Sequence, residues 1–235
     1  MSVDLASQLR EGTKKSHSMA ENTGFISCFL KGVVEKSSYR TLLADLYFVY
    51  SAMENQIMRL AGEHHPVVSH INFIELNRRE SLEKDLLFYF GPQWQSNLKI
   101  SSSAQAYVDR INHIAKEKPE LLIGHHYSRY LGDLSGGQLL KKITQKALKL
   151  PDDEGLQFYI FENIDDEKNF KNKYRSTLDS LPINQEMADL IIEEANNAFR
   201  YNMDVFKELE GNLITAIGKV LFNYFSKSNR KGSTE

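Results

Sequence analysis

Apolar residues recur at three- and four-residue intervals along nearly the whole chain, a period that predicts helices rather than strands. A first helix is expected from about Asp4 to Ala20. A second is expected from about Thr23 to Val34, burying Phe25, Phe29 and Leu30. Ser37 or Ser38 can cap a third, in which Leu42, Leu46, Tyr50, Met53 and Ile57 keep the helical spacing. After a loop over His64 to His70, a fourth helix is predicted near Arg78 to Phe90, stopped by Gly91-Pro92. A fifth starts within Ser101 to Ser103 and ends before Pro119, and a long sixth spans Leu121 to Leu150 ahead of Pro151. Gln157 to Phe161, reading QFYIF, is the one strand-like stretch and is expected to be an extended connection. Asp165 and Asp166 suit the start of a further helix through Leu178, closed by Pro182. The last helix starts near Asn184, passes Phe199 and Phe206, and should break at Gly211-Asn212. There are no repeats and no βα alternation, so the expectation is an all-α single domain over residues 1–225 with a disordered polar tail at 226–235.

Composition narrows the function classes. A chain of 235 residues can bury one sizeable core. With 29 Lys and Arg against 31 Asp and Glu, bulk charge argues for no nucleic-acid partner. The single Cys28 excludes a disulfide framework within the chain and any CxxC metal or redox site. The N-terminus carries Asp4 and no long apolar run, so it does not read as a secretory signal. Leu213 to Phe225 is too short for a bilayer core of roughly 30 Å and contains Lys219. The expected location is cytoplasmic, with no membrane attachment.

The unusual chemistry lies in the sixth helix, where His125 to Gln138 reads HHYSRYLGDLSGGQ. Each of Gly132, Gly136 and Gly137 costs a helix interior roughly 1 kcal/mol relative to alanine. Gly132 and Gly136 share one helix face, and a face without Cβ atoms suits a flat ligand, a close helix crossing or a kink. Asp133 sets a carboxylate at its edge, with Arg129 one turn before it. On the first helix, Arg10, Lys14 and His17 form one row that Glu21 continues, and Lys171 and Arg175 form a second cation pair beside Phe170 and Tyr174. Taken singly, each row reads as a solvated face. Taken together they suit a planar dianionic macrocycle holding iron, with cations for its carboxylates and an imidazole for its metal. Other metal sites lack their patterns, since there is no ExxH pair, HExxH or zinc-type Cys/His spacing. His125 and His126 point about 100° apart, so one is expected to be packed and the other exposed. His64, His65, His70 and His113 read as loop or surface residues, and no P-loop, GxGxxG or GxSxG elbow occurs.

LREGTKKSHSMAEN and PELLIGHHYSRYLGDLSGGQLLKKITQKAL resemble the haem oxygenase family, and the likeness continues through FKNKYRSTL and EEANNAFRYNMDVFKELE to about Leu213. It is similar to the soluble bacterial and cyanobacterial type, without the membrane helix that ends animal forms. The resemblance implies an all-α haem-oxygenase-like fold with haem between a proximal and a distal helix. By position, His17 matches the iron ligand and Glu21 the acid near it. Arg10, Lys14, Lys171 and Arg175 match propionate-contacting positions, and Tyr127 a tyrosine of that group; Arg10 stands where some relatives have lysine. Gly132 and Gly136 match the glycines against the distal haem face, and Asp133 the carboxylate that organises distal water. Tyr50, Arg129 and Asn202 match its supporting network, and Phe199 and Phe206 line the pocket. The implied reaction opens haem b, both cofactor and substrate, to biliverdin, carbon monoxide and ferrous iron with O2 and externally supplied electrons. The implied partners are haem, reduced ferredoxin as donor and a downstream biliverdin-accepting enzyme of phycobilin synthesis, with Lys14-Lys15 and Lys141-Lys142 available to meet an acidic ferredoxin. Two readings stay open beside it: a haem carrier or sensor without turnover, and a helical-bundle enzyme sharing only the architecture.

Overall fold

Acid and hydroxyl side chains start four of the described helices, where Asp4, Glu35, Ser101 and Asp166 each supply an acceptor to an otherwise unpaired backbone N–H. A computed structural model describes residues 3–230, with side chains described to residue 210. Helix α1 (Leu5–Glu21) is capped by Asp4, which accepts from the Ser7 N–H at 3.3 Å. Helix α2 is shorter than expected, Gly24–Leu30, and the chain turns at Gly32 with φ of 79°. Phe25 and Phe29 are buried, but Leu30 is exposed, since it lies at the last turn where the helix leaves the core. Helix α3 (Lys36–Gly62) is capped not by Ser37 or Ser38 but by Glu35, just before them, whose carboxylate accepts from the Ser38 N–H at 2.7 Å. Its Leu42, Leu46, Tyr50, Met53 and Ile57 are all buried.

Helix α4 (Arg79–Phe90) ends at Gly91, whose φ of 79° closes the turn, and the short α5 (Trp94–Asn97) leads to α6 (Ser102–Glu117), capped by Ser101. The predicted sixth helix is three consecutive pieces: α7 (Leu122–His126), a π turn at Tyr127–Leu131 and α8 (Gly132–Leu148). The irregularity therefore falls one turn before the Gly136-Gly137 pair. QFYIF is not extended throughout; Gln157–Tyr159 is a 3-10 turn. It is pinned by Asp85, which accepts from the Gln157 and Phe158 N–H groups, each at 2.8 Å, and by Arg78, which stacks on Phe161 at 3.8 Å. Helix α9 (Glu167–Asp179) is capped by Asp166, and Asn184 accepts from Met187 to open α10 (Gln185–Arg230).

Helix α10 does not break at Gly211-Asn212; it continues to Arg230, into the stretch expected to be a disordered tail. A glycine penalty of about 1 kcal/mol is too small to stop a long helix. The expected disorder of 231–235 lies outside the described residues. No described helix is long and apolar enough to cross a membrane. Helix α10 is the spine, packed against α1, α2, α3, α6 and α7. It crosses α7 closely at Gly124, where a Cβ would lie 2.7 Å from the Ala195 nitrogen and 2.8 Å from the Ile191 oxygen. Gly12 of α1 is similarly tight, with Ile192 Cγ2 2.5 Å from its would-be Cβ.

Candidate functional site

Tight packing at Gly12 and Gly124 leaves the glycines of α8 without that role. A Cβ at Gly132 or Gly136 would meet nothing within 4 Å, so neither glycine makes a helix crossing. Both line a cavity of about 680 Å³, within the range of small-molecule and cofactor sites. Helix α1 supplies Arg10, His17 and Glu21; the π turn supplies Tyr127, Ser128 and Leu131; α9 supplies Arg175 and α10 supplies Phe199. The π turn matters here because an inserted residue rotates the side chains after it, turning Gly132 and Gly136 toward α1.

Eight of the expected ligand-binding residues thus meet: Arg10, His17, Glu21, Tyr127, Gly132, Gly136, Arg175 and Phe199. The His17 Nδ1 lies 3.7 Å from the Glu21 carboxylate, and Phe199 sets its ring edge-on to the imidazole with centroids 5.8 Å apart. Burial raises the Tyr127 phenol, opposed by the Thr13 hydroxyl and by the positive charges of Arg175 and Arg10, which line the same cavity. Among the described residues neither Arg10 nor Arg175 is in a salt bridge, although the acids Asp4 and Asp179 line the same cavity and Arg175 Nη1 donates to Asn172 Oδ1 at 3.4 Å. Lys14 and Lys171 do not line it. Lys14 is turned to Glu11 at 2.5 Å and Lys171 to Glu167 at 3.4 Å. Sharing a helical row with Arg10 and Arg175 did not suffice, because each lysine has an acid three or four residues before it.

The second expected group sits behind the glycine wall. Tyr50 donates to the Asp133 carboxylate, Arg129 Nε donates to the Tyr50 oxygen at 2.9 Å, and Arg129 Nη2 reaches Asp133 Oδ1 at 3.4 Å. Arg129 Nη1 also donates to Asn202 Oδ1 at 2.6 Å. Burial pushes the Asp133 carboxyl up, opposed by Arg129 and by the Tyr50 hydrogen bond. Burial likewise opposes the Arg129 charge, but the oxygens of Tyr50, Asp133 and Tyr107 outweigh it and hold its pKa above normal. Arg129 and Asp133 face a second, apolar cavity of about 100 Å³ that Phe206 also lines. Phe206 stacks on Phe25 with centroids 5.7 Å apart and is not a wall of the larger cavity.

Several neighbours went unpredicted. Ser128 and Ser135 extend the small-residue face of Gly132 and Gly136, a stripe visible in the sequence. Tyr107 and Glu194, which meet His125, come from distant segments with no local signal. The expectation for the histidine pair fails: His125 and His126 are 0% and 2% exposed. Helix α7 is enclosed on all sides, so residues about 100° apart both face protein.

Fold and site define an all-α small-molecule-binding protein whose cleft is walled by bare helix backbone and faced by an imidazole. Comparison with known proteins gives the particular kind. The "Heme oxygenase" family model matches residues 3–208. Heme oxygenase 1 of Synechocystis sp. is 60% identical over 235 residues, covering 100% of this chain and 97% of that protein. Heme oxygenase 1 of Nostoc sp. is 55% identical, covering 100% and 98% respectively. The crystal structure of heme oxygenase-1 from the cyanobacterium Synechocystis in complex with heme superposes with a TM-score of 0.89 at 61% identity, covering 95% of this chain and 100% of that one. The chain belongs to the heme oxygenase family.

Proposed function

We propose that this protein opens haem to biliverdin, carbon monoxide and ferrous iron, consuming O2 and electrons supplied by reduced ferredoxin. The observation that carries the proposal is the pairing, across one cavity, of a glycine face with open space at both would-be Cβ positions and a helix bearing His17. The donor set fits the ligand: a flat macrocycle needs a wall without side chains, its iron needs a neutral imidazole, and its two carboxylates need cations. His17 would hold the iron, with Glu21 beside Nδ1 orienting the ring. Arg10 and Arg175 would take the propionates, with Tyr127 between them. Lys14 and Lys171 join only by leaving Glu11 and Glu167.

Bound haem supplies a redox-active iron and is itself the molecule consumed. The chain's own contribution on the distal side is a positioned proton. Asp133 lies behind Gly132, fixed from two directions by Tyr50 and Arg129, so a water held against it would meet a carboxyl that burial pushes up, opposed by Arg129 and by the Tyr50 hydrogen bond. Arg129 is fixed in turn by Asn202. Asp133→Ala should bind haem normally and lose biliverdin formation by about 10²-fold or more. Unchanged biliverdin yield would remove Asp133 from the reaction. His17→Ala should lose the histidine–iron signature in resonance Raman spectra of the hemin complex.

The donor and the fate of the product rest on relatives from cyanobacteria. Reduced ferredoxin should support turnover faster than an NADPH-dependent flavin reductase, and biliverdin should pass to a bilin-making enzyme. A carrier without turnover would use the same proximal face but has no need of the Asp133–Tyr50–Arg129 arrangement.

A further inference from the structure

His17 sits on the half of α1 that buries no residue, so something other than core packing must set where its imidazole stands. The first half is moored at two points. Asp179 accepts from the Ala6 N–H at 2.8 Å, and the Gln8 and Gln185 amides bond each other at 3.2 and 2.8 Å. From Lys14 to Ala20, among the described residues, Ser16 is the one side chain that hydrogen-bonds another element. Its hydroxyl donates to Asn196 Oδ1 of α10 at 2.5 Å. The acids that meet Lys14 and His17, Glu11 and Glu21, lie within α1 itself.

The Asn196 amide can stand only one way round. Its nitrogen lies 3.1 Å from the Gly12 carbonyl and 2.9 Å from the Ile192 carbonyl, and both oxygens can only accept. Turning the amide over would face its own oxygen at two carbonyls. Both N–H groups are therefore used, and Oδ1 is left to take the Ser16 hydroxyl. One side chain thus grips α1 at two points a turn apart, Gly12 and Ser16, and is braced on its own helix through Ile192. Gly12 permits the approach, since a Cβ there would fall 2.5 Å from Ile192 Cγ2. Three residues beyond Asn196, Phe199 sets its ring against the His17 imidazole. Helix α10 therefore meets this turn of α1 twice, by a hydrogen bond just before the histidine and by a ring beside it.

We infer that Asn196 is a positioning residue for His17: by holding Gly12 and Ser16 together it fixes the register of α1 on α10, and so the reach of the imidazole toward the Gly132–Gly136 wall. The effect on hemin rests on the proposed role of His17 as iron ligand; the latch itself does not. Losing a neutral hydrogen-bonded tie shifts a local opening equilibrium by about fivefold. So little else holds residues 14–20 that the shift belongs there and not across the core.

Asn196→Ala is the test variant, because it removes both ties and leaves α1 untouched. In the full chain before hemin is added, amide exchange in residues 14–20 should quicken about fivefold, with α3 and α6 unchanged. With hemin bound, its dissociation should quicken about fivefold while association stays within about twofold of the parent, and the histidine–iron stretching band should shift or broaden. Ser16→Ala should quicken dissociation in the parent but change it less than about twofold once Asn196 is gone, and Ser16→Thr, which keeps the hydroxyl, should match the parent. Equal effects of Ser16→Ala in both backgrounds would overturn the inference. So would an Asn196→Ala chain whose urea midpoint falls while exchange at 14–20 and hemin dissociation stay those of the parent, because Asn196 would then be structural only. Failure of the parent to bind hemin would instead sink the functional proposal and leave the exchange result standing.

Discussion

Gly136 and Gly124 lie twelve residues apart on one nearly continuous helical run, and the absence of a side chain means opposite things at the two. At Gly136 a Cβ would point into open cavity, so the bare face limits what the cleft can hold and does nothing for packing. At Gly124 a Cβ would strike the α10 backbone at 2.7 and 2.8 Å, atoms that cannot move aside. Gly136→Leu should therefore fold with unchanged or slightly raised stability, gaining up to about 1 kcal/mol of helix propensity, yet lose hemin binding at least tenfold. Gly124→Ala should cost about 1–3 kcal/mol through overpacking and leave hemin affinity per folded molecule nearly unchanged. Urea unfolding and a Soret titration of both variants separate the two roles. Equal destabilisation by both substitutions would contradict the assignment of Gly136 to the ligand.

At the scale of elements, the 157–161 turn shows what the sequence period left unread. Buried Asp85 on α4 holds it by two backbone N–H groups, and Phe158 from this turn packs edge-on to Tyr50 with centroids 5.6 Å apart. Burial raises the Asp85 carboxyl from the ordinary 3.8 to about 7, the two backbone bonds opposing. Between those values the folded chain keeps a proton that the unfolded chain releases, so stability should fall as pH rises from about 4 to about 7 and level off above. The slope is at most on the order of 1.4 kcal/mol per pH unit. Asp45, raised to about 6 by burial, contributes in the same direction. Asp85→Asn should be less stable at pH 5, lacking an acceptor for one of the two N–H groups, and flatter from pH 5 to 8; urea midpoints across that range check both. Five helix boundaries were legible because capping and breaking are local: Asp4, Ser101, Asp166, Asn184 and Gly91 act where their neighbours in sequence put them. The Gln157–Tyr159 turn was not, because Asp85 and Arg78 impose it from far along the chain. The site divides the same way. Gly132, Gly136, Asp133 and Arg129 were visible within about two turns of helix, and the binding row on α1 in a single stripe. That Lys14 and Lys171 are drawn off by Glu11 and Glu167, and that Glu194 and Tyr107 stand behind His125, depends on rotamers and on helices meeting in space.

Across the whole molecule the cleft divides two unequally held parts. Helices α7, α8 and α3 are tied into the core through α10, the 157–161 turn and the Tyr50–Arg129–Asp133 links. Helix α1 is anchored chiefly by its first half, where Leu5, Ala6, Leu9 and Thr13 are buried; beyond Thr13 it buries no residue, and the His17 side chain is 57% exposed. A ligand held by His17 on one side and resting on Gly132 and Gly136 on the other would join the loosely packed half of α1 to the rigid wall. Such a ligand binds only the folded chain, so its whole affinity appears as stability: about 2.7 kcal/mol with free hemin at 100 times its Kd. The gain should be local in its effect on motion, because most of the core is already closed without it. Amide exchange in residues 14–21 should slow most on adding hemin, with little change in α3 or α6, and His17→Ala should abolish that protection. Protection spread evenly over the chain, or strongest in α6, would mean that hemin settles somewhere other than between α1 and α8.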